Sequence, residues 1–126
     1  MNLIRGVVDD DGLVLGEQRL PLRTAFRGDV IVGIRPEALE PGDGAGALEL
    51  RVVLAEMLGS DVLLHLESPS PSVLLDTPDE QVEDTSRFIA RVPPAVRPEP
   101  GERIRLRVDM SRVHLFDPAT EAVIGR

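Results

Sequence analysis

The stretch that decides the fold is Ala47-Leu48-Glu49-Leu50-Arg51-Val52-Val53-Leu54-Ala55-Glu56-Met57. Leu48, Leu50, Val52 and Leu54 alternate with Glu49, Arg51 and Val53, a period of two that belongs to a half-buried strand. The alternation predicts that Leu48, Leu50, Val52 and Leu54 all face inward, with Glu49 and Arg51 in water. Leu58-Gly59-Ser60-Asp61 then turns the chain into a second strand, Val62 to Glu67.

The same period recurs in both directions. Upstream, Leu3 to Val8 ends at Asp9-Asp10-Asp11-Gly12, whose Asp-Gly favours a tight hairpin into Leu13-Val14-Leu15. Gly16-Glu17 turns again into Gln18 to Leu22, where Pro21 implies an edge position. Asp29 to Arg35 follows, with Val30, Val32 and Ile34 on one face, and Pro36-Glu37-Ala38-Leu39 predicts one short helical turn. Pro41 to Gly46 reads as a loop. Downstream, the polar stretch Ser68 to Ser86 reads as a surface loop carrying one small strand at Val73-Leu74-Leu75. Arg87 to Val92 and Arg103 to Val108 are further strands, joined by the Pro-rich segment 93–101. Val113 to Phe116 and Ala122 to Ile124 close the chain around Asp117-Pro118. No segment of ten or more residues keeps a 3.6 period. About ten short strands with frequent turns specify an all-β barrel or sandwich.

Composition narrows the chemistry. All fourteen basic residues are Arg, which excludes a lysine Schiff base and a phosphate-binding loop of the GxxxxGK[ST] type. The absence of Cys excludes disulfides, thiolate nucleophiles and sulfur-ligated metals. Phe26, Phe88 and Phe116 are the only aromatic residues, so the core is aliphatic and little is available to stack on a base. A net charge of -8 opposes nucleic acid and anionic lipid at long range. No apolar run reaches the roughly 20 residues that span a bilayer, and the N-terminus lacks a signal-peptide core. Met1 to Gly6 enters strand-like sequence at once and reads like an internal cut in a longer protein.

Candidate reactive groups yield to plainer readings. Ser60, Asp61 and His65 contain the residue types of a hydrolase triad, but no Gly-x-Ser-x-Gly elbow frames the serine. Asp9-Asp10-Asp11-Gly12 lacks the spacing and closing Glu of an EF-hand loop. His65 and His114 lie in different strands with no HxxxH partner. Asp79, Glu80, Glu83 and Asp84 lie in a polar loop and read as solvating charges. Arg103, Arg105 and Arg107 share one strand face, read as an outer face balanced by carboxylates or as a surface for an acidic partner. No catalytic, cofactor-binding or metal-binding residue is expected.

Four segments in order carry a resemblance: Val32-Gly33-Ile34-Arg35-Pro36-Glu37-Ala38-Leu39, Ala55-Glu56-Met57-Leu58-Gly59-Ser60-Asp61, the Gly101 to Val108 strand, and Val113-His114-Leu115-Phe116-Asp117-Pro118-Ala119-Thr120. Together they resemble the GIRPE, VExLGxD and HLFDPxTG segments in the C-terminal regulatory domain of carbohydrate ABC importer ATPases, the maltose, glycerol-phosphate and trehalose importer type. The chain departs from that pattern at Ala55, usually Val, and at Glu121, usually Gly; its Ser68–Ser86 segment is longer and more acidic.

The resemblance implies an OB-fold-type barrel of the TOBE or MOP-like kind. It implies one regulatory domain over 1–126, divisible into two interlocked subdomains, about 1–45 plus 101–126 and about 46–100. It further implies a non-catalytic regulatory and dimerisation role in the ATP-binding subunit, at the cytoplasmic face of the plasma membrane. ATP and Mg would belong to a preceding nucleotide-binding domain. Implied partners are a twin domain, that nucleotide-binding domain, the permease subunits indirectly, and a regulatory protein or small molecule, but no nucleic acid. Gly33, Arg35, Pro36, Glu37, Glu56, Gly59, His114, Phe116 and Asp117 are the motif and interface candidates. Gly33 suggests close approach of another backbone or a bulge. Arg35, Pro36 and Glu37 would pin a fixed turn, and Phe116 would either plug a barrel end or anchor the twin. A free-standing binder of a molybdate-type oxyanion is the alternative, motivated by the Arg strand. An oligonucleotide binder on the same barrel is opposed by charge and composition.

Overall fold

The computed structural model describes residues 1–70, 87–120 and 122–124. The expected strand at Val73-Leu74-Leu75 and the carboxylates Asp79, Glu80, Glu83 and Asp84 lie outside the described residues, as does Glu121.

Eleven strands are found among the described residues, and no α-helix. In chain order they are β1 (Asn2–Asp9), β2 (Gly12–Leu15), β3 (Gln18–Leu20), β4 (Gly28–Ile34), β5 (Leu39–Pro41), β6 (Ala47–Met57), β7 (Val62–Glu67), β8 (Arg87–Val92), β9 (Arg103–Val108), β10 (His114–Phe116) and β11 (Val123–Ile124). Pro36–Ala38 forms the predicted short turn, a single 3-10 turn, and Met110–Arg112 forms another. The strand β5 replaces the start of the expected Pro41–Gly46 loop, because Leu39 and Pro41 pair with Val108 and Leu106 of β9. Tertiary pairing there overrides a local sequence rich in Gly and Pro.

The strands form two sheets. The first runs β11-β10-β4-β1-β2-β3, and the second runs β5-β9-β6-β7-β8. Every pairing is antiparallel. In the second sheet the two outer strands, β5 and β8, lie against each other, so the sheet curls into a five-stranded half-barrel of the OB type. β9 pairs with β5 and β6, and after it β10 and β11 return to the first sheet.

The strand β6 is shared around the bend. Ala47 to Arg51 pair with β9, whereas Val52 to Met57 pair with β7. Between them Val52 stands opposite Leu66 and Leu54 opposite His65, which leaves Val53 as an extra residue. Such a bulge bends the strand and reverses its alternation. Leu48, Leu50 and Val52 are buried as expected, but Leu54 is 40% exposed. The expected inward placement of Leu54 is therefore corrected by one inserted residue.

One aliphatic core lies between the sheets. Ile4, Leu13, Leu15, Leu20, Val32, Ile34 and Leu115 from the first sheet meet Leu48, Leu64, Leu66, Leu106 and Phe88 from the second. Phe88 is the only aromatic residue of this buried cluster. Each fully buried Leu or Phe is worth about 1.5–3 kcal/mol relative to exposure. Two carboxamides stitch the sheets where strands do not pair. Asn2 of β1 reaches β8, and Gln18 of β3 reaches Glu49 of β6.

Candidate functional site

The outer face of the first sheet collects three of the sequence-selected residues. Gly33 in β4 stands opposite His114 of β10 and Leu3 of β1. A Cβ at Gly33 would meet the Met1 sulfur at 2.5 Å, Phe116 Cε2 at 3.2 Å and Leu3 Cδ2 at 3.4 Å. What approaches Gly33 is thus a set of side chains, rather than another backbone, and β4 runs through it without a bulge. Phe116 pairs with Ile31 and lies at 6.5 Å and 29° from the His114 ring. It is half-buried on the outer surface, not a plug of the core. Leu3, Ile31, Phe116 and the half-exposed Met1 form an apolar strip across β10, β4 and β1.

Asp117 builds the turn that carries Phe116. Its Oδ1 accepts from the backbone N–H of Ala119 at 2.8 Å and of Thr120 at 3.2 Å, and its own N–H donates to the Ala122 carbonyl at 2.8 Å. An Asp at the start of such a turn substitutes for a backbone acceptor.

Arg35, Pro36 and Glu37 sit apart from this strip. The Arg35 carbonyl accepts from the Ala38 N–H at 2.9 Å, closing the turn that Pro36 starts. Glu37 reaches Arg112 at 3.8 Å, tying the two 3-10 turns together. The Arg35 side chain has no such partner among the described residues, so the anion of this motif does the pinning and the cation does not. A cleft of about 340 Å³ lies between these turns, edged by Glu37, Glu40, Arg107 and Arg112.

Glu56 and Gly59 belong to a third place, the β6–β7 hairpin. Glu56 Oε1 lies 3.0 Å from His65 Nε2, and Arg87 lies 3.3 Å from His65 Nδ1. Arg87 can only donate and the Glu56 carboxylate accepts, so Nδ1 takes the Arg87 contact and Nε2–H the Glu56 contact. His65 is therefore engaged by Glu56 and Arg87, while Asp61 turns to Arg91 at 3.9 Å. Ser60, Asp61 and His65 form no triad. Gly59 has φ +82°, the positive angle its turn requires. Leu54, Met57 and Leu58 leave this hairpin tip apolar and exposed.

The Arg face of β9 is compensated. Arg103 lies 3.5 Å from Glu49, Arg105 3.5 Å from Asp43, and Arg107 3.7 Å from Glu40. All six side chains are well exposed, so the pairs hold charge balance more than stability. Asp9 and Asp10, read as turn formers, pair with Arg19 at 2.6 Å and Arg27 at 3.0 Å. The Arg19 guanidinium beside Asp9 holds its carboxyl below the usual range. Among the described residues no group of three or more His, Asp or Glu is placed to hold a metal ion, and no helix is long and apolar enough to cross a membrane.

Sequence reasoning missed Asn2 and Gln18, whose amides reach across the sheets. Asn2 is buried in an otherwise apolar alternation, and that was its available signal. Gln18 offered none, since a partly exposed Gln is ordinary.

The TOBE domain family matches residues 32–81, from β4 past β7. The sulfoquinovosyl glycerol transport ATP-binding protein of Agrobacterium fabrum is 37% identical over 98% of this chain and 33% of its own length. The sn-glycerol-3-phosphate import ATP-binding protein of Psychromonas ingrahamii is 31% identical over 95% of this chain and 31% of its own. Its namesake from Burkholderia mallei is 32% identical over 95% and 32%. The chain spans about a third of the length of the curated relatives it matches. With its all-β OB-type architecture and ordered motifs, the chain carries a match to the TOBE domain over residues 32–81 and resembles, along nearly its whole length, the C-terminal part of importer ATP-binding subunits.

Proposed function

We propose that this chain is the regulatory and dimerisation domain of the ATP-hydrolysing subunit of a sugar importer, non-catalytic by itself. The observation that carries the reading is the near-complete match of the chain to a third of importer ATP-binding proteins. Those relatives are named for sulfoquinovosyl glycerol and sn-glycerol-3-phosphate, so a sugar or glycerol conjugate is the cargo class assigned here. ATP and Mg are handled by a nucleotide-binding domain elsewhere in such a subunit. The domain works at the inner face of the plasma membrane and meets the permease only through that neighbour. It has no role on nucleic acid.

The surface assigned to the twin domain is the strip of Leu3, Ile31, Gly33 and Phe116. Ile31 and Gly33 are buried in it, but Leu3 and Phe116 stay partly open beside the half-exposed Met1, whereas the Arg face of β9 is occupied by its own carboxylates. The same compensation is the reason a free-standing oxyanion binder is the less favoured reading. Light scattering of the 126-residue chain across a concentration series tests the reading. A reversible dimer weakened by Phe116→Asp is expected. A strict monomer at high concentration would remove the dimerisation role.

A further inference from the structure

The outer face of the first sheet also carries a cleft of about 360 Å³, walled by Ser70 after β7 and by Pro118 in the β10–β11 turn. Its volume is at the small end of ligand cavities. Val7 and Val14 stand opposite each other in the β1–β2 register and supply an apolar floor.

Arg5 and Asp29 flank that floor. Arg5 pairs with Ile31, and Asp29 pairs with Val7, so the two charges are diagonal neighbours on one face. Diagonal neighbours lie about 7–8 Å apart, a distance a long side chain can close. Arg19, Arg27 and Arg91 all find a carboxylate within 4.0 Å. Arg5 and Asp29 do not pair with each other, and neither side chain has another ion pair or hydrogen bond among the described residues. The backbone that carries Arg5 is fixed from the cleft wall, since Ser70 Oγ donates to the Arg5 carbonyl at 2.6 Å. A cation and an anion thus border Val7 of the apolar floor, Arg5 along β1 and Asp29 across on β4.

We propose that this cleft binds a small polyol bearing one anionic group. The guanidinium of Arg5 matches a phosphate, sulfonate or carboxylate with two parallel N–H donors. The Asp29 carboxylate only accepts, so it selects a ligand that offers hydroxyl donors and disfavours a bare anion. The carbon chain between those groups lies on Val7 and Val14. The proposal rests on the importer reading in one respect: it makes a solute of the imported class the signal that the domain senses.

Titration of the 126-residue chain with glycerol 3-phosphate, inorganic phosphate and glycerol, followed by amide chemical shifts, tests this. Glycerol 3-phosphate is expected to shift amides of β1, β2 and β4 and to bind more tightly than phosphate or glycerol. Arg5→Gln weakens that binding by about tenfold or more, the loss of one charge-assisted pair. Asp29→Ala narrows the preference for glycerol 3-phosphate over phosphate. Both positions are exposed, so unchanged shifts elsewhere certify the fold of each variant. The proposal is overturned by an absence of binding at millimolar ligand, by phosphate binding as tightly as glycerol 3-phosphate, or by Arg5→Gln without effect. A chain that binds but stays monomeric keeps this site and loses the dimerisation role; a dimer that binds none of the three does the reverse.

Discussion

Asn2 holds both backbone groups of Ile89: its Nδ2 donates to the Ile89 carbonyl at 2.8 Å and its Oδ1 accepts the Ile89 N–H at 2.8 Å. The second Nδ2 hydrogen reaches the Ile34 carbonyl at 3.0 Å, so one side chain satisfies three peptide groups on β4 and β8. A carboxamide presents the same donor and acceptor as a peptide, and here it acts as one extra rung between two sheets. Gln18 repeats the device on Glu49, with both bonds at 2.8 Å, in a more exposed setting.

The two amides should differ in energy for that reason. Asn2→Ala leaves buried peptide groups without partners and is expected to cost about 2–3 kcal/mol. Gln18→Ala lets water replace the lost bonds and should cost less than about 1 kcal/mol. Urea unfolding of the two variants, with unchanged slopes, compares them directly. Equal losses would show that Asn2 is no better shielded than Gln18.

Glycine substitutions separate strain from collision. Gly59 has φ +82° with open space around its missing Cβ, so Gly59→Ala costs only backbone strain, about 1 kcal/mol. Gly16 has φ +62°, and a Cβ there would fall on the carbonyl oxygen of Pro69. Relief of that contact requires the segment carrying Ser68 to Ser70 to move, so Gly16→Ala should lose more than about 2 kcal/mol. Thermal melts of the pair check the order. Gly16→Ala should also disturb the Ser70 wall of the Arg5 cleft, which amide shifts of β1 would report.

The Asp9–Arg19 pair sets a pH dependence of known sign. The hydrogen bond from Arg19 lowers the Asp9 pKa in the folded chain, helped by the Asp11 backbone N–H. A depressed folded pKa gives stability that is complete above the unfolded value, about 3.9. That stability is lost as pH falls from there through the lower folded value. Melting temperatures of the wild type and Arg19→Ala should therefore differ at pH 6 and converge as Asp9 protonates. A difference that persists unchanged at pH 2 would assign the effect to packing of the Arg19 stem.

Much of this fold was legible because period-2 alternation survives wherever one face is buried. Both ends of β6 and β7 match their expected limits, and Pro36 starts the short turn that its fixed φ favours. The strand β5 was not legible, because Leu39-Glu40-Pro41 becomes a strand only through Val108 and Leu106. Partner assignment was hidden for the same reason: the alternation of Arg103 to Val108 fixes its faces but not its sheet. The candidate site was readable as motifs, not as geometry. Gly33, His114 and Phe116 converge, while Arg35, Pro36 and Glu37 serve a turn, and Glu56 and Gly59 serve a hairpin. Arg5 and Asp29 carried no signal, since single exposed charges are the ordinary dress of a strand.

The bulge in β6 offers the sharpest separation between pattern and structure. By alternation Leu50 and Leu54 are equivalent, two inward residues of one strand. In the structure Leu50 is 2% exposed, whereas Leu54 is turned outward by the extra residue Val53. Leu50→Ala removes buried volume and should cost about 2–4 kcal/mol. Leu54→Ala removes a side chain already in water and should cost less than about 1 kcal/mol. Deleting Val53 would place Leu54 directly after Val52, still facing outward opposite His65, and would leave Ala55 and Met57 on their present faces. It would nevertheless remove the bend by which β6 leaves β9 for β7, so the deletion is expected to destabilise the half-barrel. Denaturant unfolding of the three variants tests the bulge: comparable losses for Leu50→Ala and Leu54→Ala would mean that the strand runs straight.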